Sequence, residues 1–142
     1  HEFVTRKITS NVAKIKLGLI EKFSLGDLTP QRDWGYAGDY VEAMWRMTQE
    51  EKPDDFVIAT GETRSVRDFV VAALEAVGLE PDVDKYVSYD QAMKRPSEVD
   101  LLVGDASKAS EILDWQPTTT FNELVGLMVE NDLRIESSSQ TN

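Results

Sequence analysis

The chain has 142 residues, enough for one ordinary domain or part of a larger one, and it is 41% hydrophobic and 29% charged, the balance of a soluble globular protein. It has no cysteine and a single histidine, His1, which excludes a disulfide scaffold, thiolate chemistry and a multi-histidine metal site. With 15 Lys and Arg against 26 Asp and Glu the net charge is −11, so neither nucleic acid nor an anionic membrane is an expected partner. No apolar run reaches the roughly 18 residues of a membrane-spanning helix. No secretion signal is visible either, and a reducing compartment, the cytoplasm, is the expected location.

Val4, Ile8, Val12, Ile15 and Leu19 recur at helical spacing, with Lys7, Lys14 and Lys16 pointing elsewhere and Gly18 as a stop. Lys22–Leu25 reads as a short strand, followed by a Gly-Asp-Leu-Thr-Pro turn. Gln31–Ala37 is aromatic and irregular. Asp39 is placed to cap a helix with Val41, Met44, Trp45 and Thr48 on one face, ended by Pro53. Phe56–Ala59, between Asp55 and Gly61, reads as a buried strand. Ser65 opens a helix with Val66, Phe69, Val70, Ala73, Leu74 and Val77 on one face, and Gly78 closes it.

Tyr86–Tyr89 and Leu101–Val103 are short strand candidates. Asp105 is a good N-cap for a helix through Leu113, broken by Trp115-Gln-Pro117. Thr120 and Glu123 form a capping box ahead of Phe121, Leu124, Val125, Met128, Val129 and Leu133. Residues 136–142 read as a frayed polar tail. The order α-β-α-β-α-β-β-α-α is an α/β mixture. Its four short strands offer less apolar surface than its helices demand, so some helix faces are expected to dock on a further part of the molecule.

Catalytic groups are scarce. A Tyr-x-x-x-Lys pair is absent, since Tyr89 and Lys94 stand one residue too far apart. Gly35-Tyr-Ala-Gly38 has only half of a dinucleotide fingerprint. Glu50-Glu51 and Asp54-Asp55 lack metal-ligand spacing and read as solvated surface. No catalytic or metal-ligating residue is therefore assigned. Arg32, in Gln31-Arg32-Asp33-Trp34-Gly35-Tyr36, and Arg95, in Lys94-Arg95-Pro96-Ser97-Glu98-Val99-Asp100, are better clues. Arginine forks match phosphate, and carboxylates accept ribose hydroxyls, so together they could clamp a nucleoside diphosphate. Arg–Asp salt bridges holding each loop are the commoner outcome of such spacing, and Trp34 and Tyr36 are more often core than ligand-stacking residues.

Three stretches stand out along the first third of the chain: Phe3-Val4-Thr5-Arg6-Lys7-Ile8-Thr9, Leu25-Gly26-Asp27-Leu28, and Arg32-Asp33-Trp34-Gly35-Tyr36-Ala37 with Asp39-Tyr40-Val41-Glu42-Ala43-Met44-Trp45. Pro53-Asp54-Asp55-Phe56-Val57-Ile58-Ala59-Thr60-Gly61, Arg95-Pro96-Ser97-Glu98-Val99-Asp100, Gly104-Asp105-Ala106-Ser107-Lys108-Ala109 and Leu113-Asp114-Trp115 continue the series in order. Together these stretches resemble the GDP-mannose 4,6-dehydratase family of extended short-chain dehydrogenases. The resemblance is to the family's C-terminal, substrate-binding portion, and implies an α/β fold completed by a Rossmann half that carries the catalytic groups and most of the NADP site. Residues 1–135 would then be the GDP-sugar-binding portion.

The resemblance further implies roles for individual residues. Val4 and Lys7 would meet the guanine end, and Leu25 and Gly26 would line the base pocket, where the family commonly has Asn in place of Asp27. Arg32 would hold the diphosphate, Arg95 would reach phosphate or ribose, and Glu98 would accept ribose hydroxyls. His1 would lie near the nicotinamide of NADP. In the family an arginine-rich segment stands between His-Glu and Phe-Val-Thr-Arg-Lys, whereas here His1-Glu2 runs straight into Phe3.

The implied reaction of the intact enzyme is an internal redox with loss of water. Hydride leaves mannose C4, water is lost across C5 and C6, and hydride returns at C6. Its product, GDP-4-keto-6-deoxy-mannose, is the precursor of GDP-fucose and GDP-rhamnose. A homodimer or homotetramer is implied. A non-catalytic nucleotide-sugar-binding or interaction module is the alternative. A sister reductase or epimerase is another, against which the Arg95-Pro-x-Glu98-Val-Asp100 spelling speaks.

Overall fold

Three helices build the main core, and each lies where the apolar spacing places it. The computed structural model describes residues 3–90, 92, 99 and 101–139. Helix α1 (Val4–Lys16) buries Ile8 and Val12, and it ends where Gly18 adopts φ 71°, which lets Leu19 N–H return to the Lys14 carbonyl at 2.9 Å. The next helix in the core, Val66–Ala76, starts at a capping box: Ser65 Oγ accepts from Asp68 N–H, and Asp68 Oδ2 accepts from Ser65 N–H at 2.8 Å. The last helix, Phe121–Ser139, begins with the same device. Glu123 N–H donates to Thr120 Oγ1, and Thr120 N–H donates to Glu123 Oε2 at 2.8 Å.

In chain order the elements are α1, β1 (Phe23–Leu25), β2 (Gln31–Arg32), α2 (Ala37–Met47), β3 (Arg64–Ser65), α3 (Val66–Ala76), α4 (Val83–Tyr86), β4 (Val87–Tyr89), β5 (Leu101–Leu102), α5 (Ser107–Leu113) and α6 (Phe121–Ser139). Strands β1 and β4 pair in parallel, with Leu25 opposite Tyr89. Strand β2 is central between β3, antiparallel, and β5, parallel. Helices α1, α3 and α6 pack on one another around Ile8, Val12, Phe69, Val70, Leu74, Val125 and Val129. Trp34 joins this core edge-on to Phe69, with ring centroids 5.1 Å apart, and stacks near Phe121. A second, smaller cluster joins α2 to α5 through Ala43, Ala109, Leu113 and Trp115.

The structure corrects several expectations. Gln31–Ala37 is not wholly irregular, because Gln31 and Arg32 form the middle strand of a sheet. Asp39 does not cap α2. Tyr36 occupies that position, and Asp39 is buried inside the first turn, where residues 118 and 119 claim its carboxylate. Phe56–Ala59 makes no ladder among the described residues. Ala59 is buried but Val57 is 54% exposed, so the run is extended without a strand to pair with. The region read as a frayed tail is helical through Ser139, since Glu136 on α6 bonds Ser10 and Lys14 of α1. Asp105 does not cap α5: Ala106 holds the N-cap position, and Asp105, two residues ahead of the helix, accepts from Ser107 N–H at 3.0 Å.

Candidate functional site

The parallel strands direct two loop ends to either side of one stretch of chain. At the end of β1 the Leu25 carbonyl accepts from Asp90 N–H at 2.9 Å, where β4 gives way to residues 91–98. At β2, Arg32 Nη1 donates to the Val99 carbonyl at 2.6 Å and to its neighbour Gln31 at 2.7 Å. Leu25 and Arg32 therefore hold the two ends of the stretch that contains Arg95 and Glu98. Arg95, Glu98 and His1 themselves lie outside the described residues. Gly26 follows Leu25 at the strand end, and Asp27 Oδ1 then closes a turn on Thr29 N–H at 2.9 Å and Thr29 Oγ1 at 2.7 Å.

Beside the first end, Tyr89 OH donates to Asp84 Oδ1 at 2.8 Å and accepts from Arg67 Nη1 at 3.2 Å. The tyrosine hydroxyl, with Arg67 behind it, holds the Asp84 carboxyl below its ordinary range, and the same hydroxyl raises Arg67 further.

Val4 and Lys7 stand on a different element, the first turn of α1, where Val4 packs against the core. Phe3 supplies no side-chain cap and the turn has no acidic residue, so its backbone donors and the helix dipole suit a negative group. The structure thus ties Leu25 to Asp90 and Arg32 to Val99, with Gly26 next to Leu25 in the chain, and sets Val4 and Lys7 on the helix packed against the same core.

Two carboxylates fasten the loops behind β2: Asp33, to which the sequence reading gave no role of its own, and Asp39, which it read as a helix cap. Asp33 Oδ1 accepts from Thr60 N–H (2.9 Å) and Thr60 Oγ1 (2.6 Å), and its Oδ2 accepts from Gly61 N–H at 2.9 Å and Gly104 N–H at 3.4 Å. Asp39 Oδ2 accepts from Thr118 N–H and Thr119 N–H at 3.1 and 2.9 Å, and Thr118 Oγ1 donates to its Oδ1 at 2.8 Å. Burial pushes the Asp39 carboxyl up, but these donors outweigh it and leave the group below its ordinary value. Tyr40 is raised by burial and by the Asp33 and Asp39 charges. Between the fastened loops lies a cavity of about 350 Å³ walled by Trp34, Thr60, Glu62, Arg64, Thr118 and Phe121.

Asp33 follows directly on β2, whose two residues are too few to show a strand period, so no sequence signal marked it.

The glycines that half-match a dinucleotide fingerprint do not fit a cofactor. A Cβ at Gly35 would overlap the Tyr40 ring, and one at Gly38 would overlap the Tyr36 ring, so both are small to admit the chain's own aromatics rather than a pyrophosphate. Among the described residues no group of three His, Cys, Asp or Glu could hold a metal ion, and no helix is long and apolar enough to cross a membrane.

Comparison with known proteins places the chain in a family. The GDP-mannose 4,6 dehydratase family model matches residues 1–128. GDP-mannose 4,6 dehydratase 2 of Arabidopsis thaliana is 53% identical over 133 residues, covering 94% of this chain and 35% of that protein. The chain thus spans about a third of that relative's length. Among solved structures, RMD from Pseudomonas aeruginosa complexed with NADPH superposes with a TM-score of 0.83 at 17% identity, over 94% of this chain and 43% of that one. The dTDP-glucose 4,6-dehydratase from Bacillus anthracis in complex with NAD gives 0.74 at 20% identity, over 92% of this chain and 40% of that one. These likenesses show that the chain shares the α/β fold of the matching portion of those enzymes. The chain belongs to the GDP-mannose 4,6-dehydratase family.

Proposed function

We propose that this chain binds the nucleotide sugar for a GDP-mannose 4,6-dehydratase, a lyase that converts GDP-mannose to GDP-4-keto-6-deoxy-mannose with net loss of water. The family match along residues 1–128 carries this reading. The geometry supports it where Leu25 and Arg32 hold both ends of the stretch that contains Arg95 and Glu98.

In this reading Leu25 and Gly26 line the base pocket, and Val4 and Lys7 meet the guanine from the first turn of α1. Arg32 and Arg95 take the diphosphate, for which a planar fork of donors is suited, and Glu98 accepts the ribose hydroxyls. The contact of Arg32 with the Val99 carbonyl makes the arginine's orientation depend on the same stretch that carries Arg95 and Glu98. A nicotinamide cofactor, here NADP, supplies a hydride acceptor and donor when bound. Because Gly35 and Gly38 are filled by tyrosines, the grip on its pyrophosphate is assigned to a further part of a longer enzyme, with His1 near the nicotinamide end. The catalytic groups are assigned to that part as well. A cytoplasmic location and assembly as a homodimer or homotetramer belong to the same proposal.

Isothermal titration of the full-length protein with GDP-mannose tests it. Arg32→Ala should weaken binding by about 1.5–3 kcal/mol, the value of a hydrogen bond to a charged group. Unchanged affinity would reduce Arg32 to a clip between β2 and Val99. Binding without turnover by the full-length protein would favour a nucleotide-sugar-binding module instead.

A further inference from the structure

A line of polar bonds runs through the otherwise apolar contact of α1 with α6. Asp132 is 1% exposed and shares the buried face of α6 with Val125 and Val129. Its Oδ2 accepts from Thr9 Oγ1 at 2.6 Å, and its Oδ1 meets Arg6 Nη2 at 2.6 Å. One helical turn along, Glu136 Oε1 accepts from Ser10 Oγ at 3.3 Å and faces Lys14 Nζ at 3.6 Å.

Asp132 is buried while the Arg6 side chain is 36% exposed. An ion pair desolvated on its acid side recovers little beyond that cost, and well-packed apolar residues in its place are often neutral or better. Here the cost is higher still, because Arg6 Nε is buried with no hydrogen-bond partner among the described residues. What directional bonds add is register. Ile8 and Val12 fix which face of α1 is inside, but apolar contact alone leaves a helix free to slide and rotate slightly. Bonds from Arg6, Thr9, Ser10 and Lys14 to two residues one turn apart on α6 hold both motions.

We propose that Asp132 is a positioning residue for the nucleotide-sugar site. By holding Arg6 and Thr9 it fixes the first turn of α1, and with it Val4 and Lys7, which flank Arg6 in the chain. The inference rests on the reading that Val4 and Lys7 meet the substrate.

The test uses the full-length protein, with KM and kcat for GDP-mannose and the melting temperature as readouts. The double variant Arg6→Leu with Asp132→Leu should melt at or above the parent, while KM rises about tenfold and kcat stays within about twofold. Asp132→Asn, which keeps an acceptor for Thr9, should fall between. Should the double variant fail to fold, Thr9→Val removes one hydroxyl and no charge, and should raise KM about threefold, with a lower melting temperature because the buried Asp132 Oδ2 loses its donor. Lys7→Ala separates the two levels of the inference. A raised KM in Lys7→Ala beside an unmoved KM in the Asp132 and Thr9 variants overturns the positioning role alone. A Lys7→Ala protein with the parent's KM overturns the substrate reading of α1 and the positioning role with it.

Discussion

Around α1, α3 and α6 the apolar side chains meet one another, from Ile8 through Phe69 to Val129, and the helix faces close on themselves. Around α2 and α5 the buried cluster is smaller, Ala43, Ala109, Leu113 and Trp115 with Tyr40, Met47, Phe56, Ile58 and Ala106 packed against it, and the other face of α2 leaves Val41 62%, Met44 58% and Trp45 62% exposed. This second region is fastened instead by directional bonds. Asp39 holds Thr118 and Thr119, Trp115 Nε1 donates to the Asp39 carbonyl at 2.9 Å, and Arg46 Nη1 donates to the carbonyls of Leu113 and Asp114 where the chain turns left-handed after α5. The first region rests on area removed from water, which is non-directional and tolerant. The second rests on a few hydrogen bonds, each costly to leave unmade.

The comparison predicts different failures. Phe69→Ala, at the centre of the first region, should cost about 3–5 kcal/mol in chemical denaturation, as the cavity adds to the lost transfer energy. A loss below about 1 kcal/mol would mean that Trp34 and Phe121 collapse into the space, and that the first region is softer than its packing suggests. In the second region Asp39→Ala should cost about 2–3 kcal/mol, because two backbone N–H groups and a hydroxyl lose their acceptor.

Asp39 also carries a pH signature. Its carboxyl is held below the ordinary value in the folded protein, so its contribution is complete at neutral pH and drains away as pH falls through and below the usual carboxylate range. Unfolding followed between pH 7 and pH 2 should therefore show a shallower acid limb in Asp39→Asn than in the parent. Parallel limbs would remove Asp39 from the titration.

The two regions were also unequally legible. The helices of the first region follow from spacing alone, because each buries one face and is delimited by local devices: the Ser65–Asp68 and Thr120–Glu123 boxes and the left-handed Gly18 and Gly78. In the second region, local chemistry suggested that Asp39 was a cap. The structure instead uses it to bind residues 118 and 119, a long-range choice that no window around Asp39 contains. Gln31–Arg32 is two residues long, too short to show a period, and exists as a strand because β3 and β5 flank it. Asp132 was readable, since an acid in the apolar series Val125, Val129, Asp132 announces a buried partner. Of the candidate site, motif resemblance marked Leu25, Gly26 and Arg32. Only the fold shows that Leu25 and Arg32 grip the same stretch of chain.

The smallest effect is expected on the exposed stripe of α2. Val41, Met44 and Trp45 follow one another at helical spacing, yet no residue of the described structure covers them. Met44→Gln and Trp45→Gln should therefore change the unfolding free energy of the 142-residue chain by less than about 0.5 kcal/mol, the usual range for a surface position. They should also reduce self-association, since a contiguous apolar stripe in water is a site for it. Sedimentation and chemical denaturation on the same samples check both statements. A loss above about 1 kcal/mol that grows with protein concentration would show the stripe covered by a second copy. The contrast between a region closed by area and one closed by hydrogen bonds would then hold only for the isolated chain, because association would have supplied the missing area.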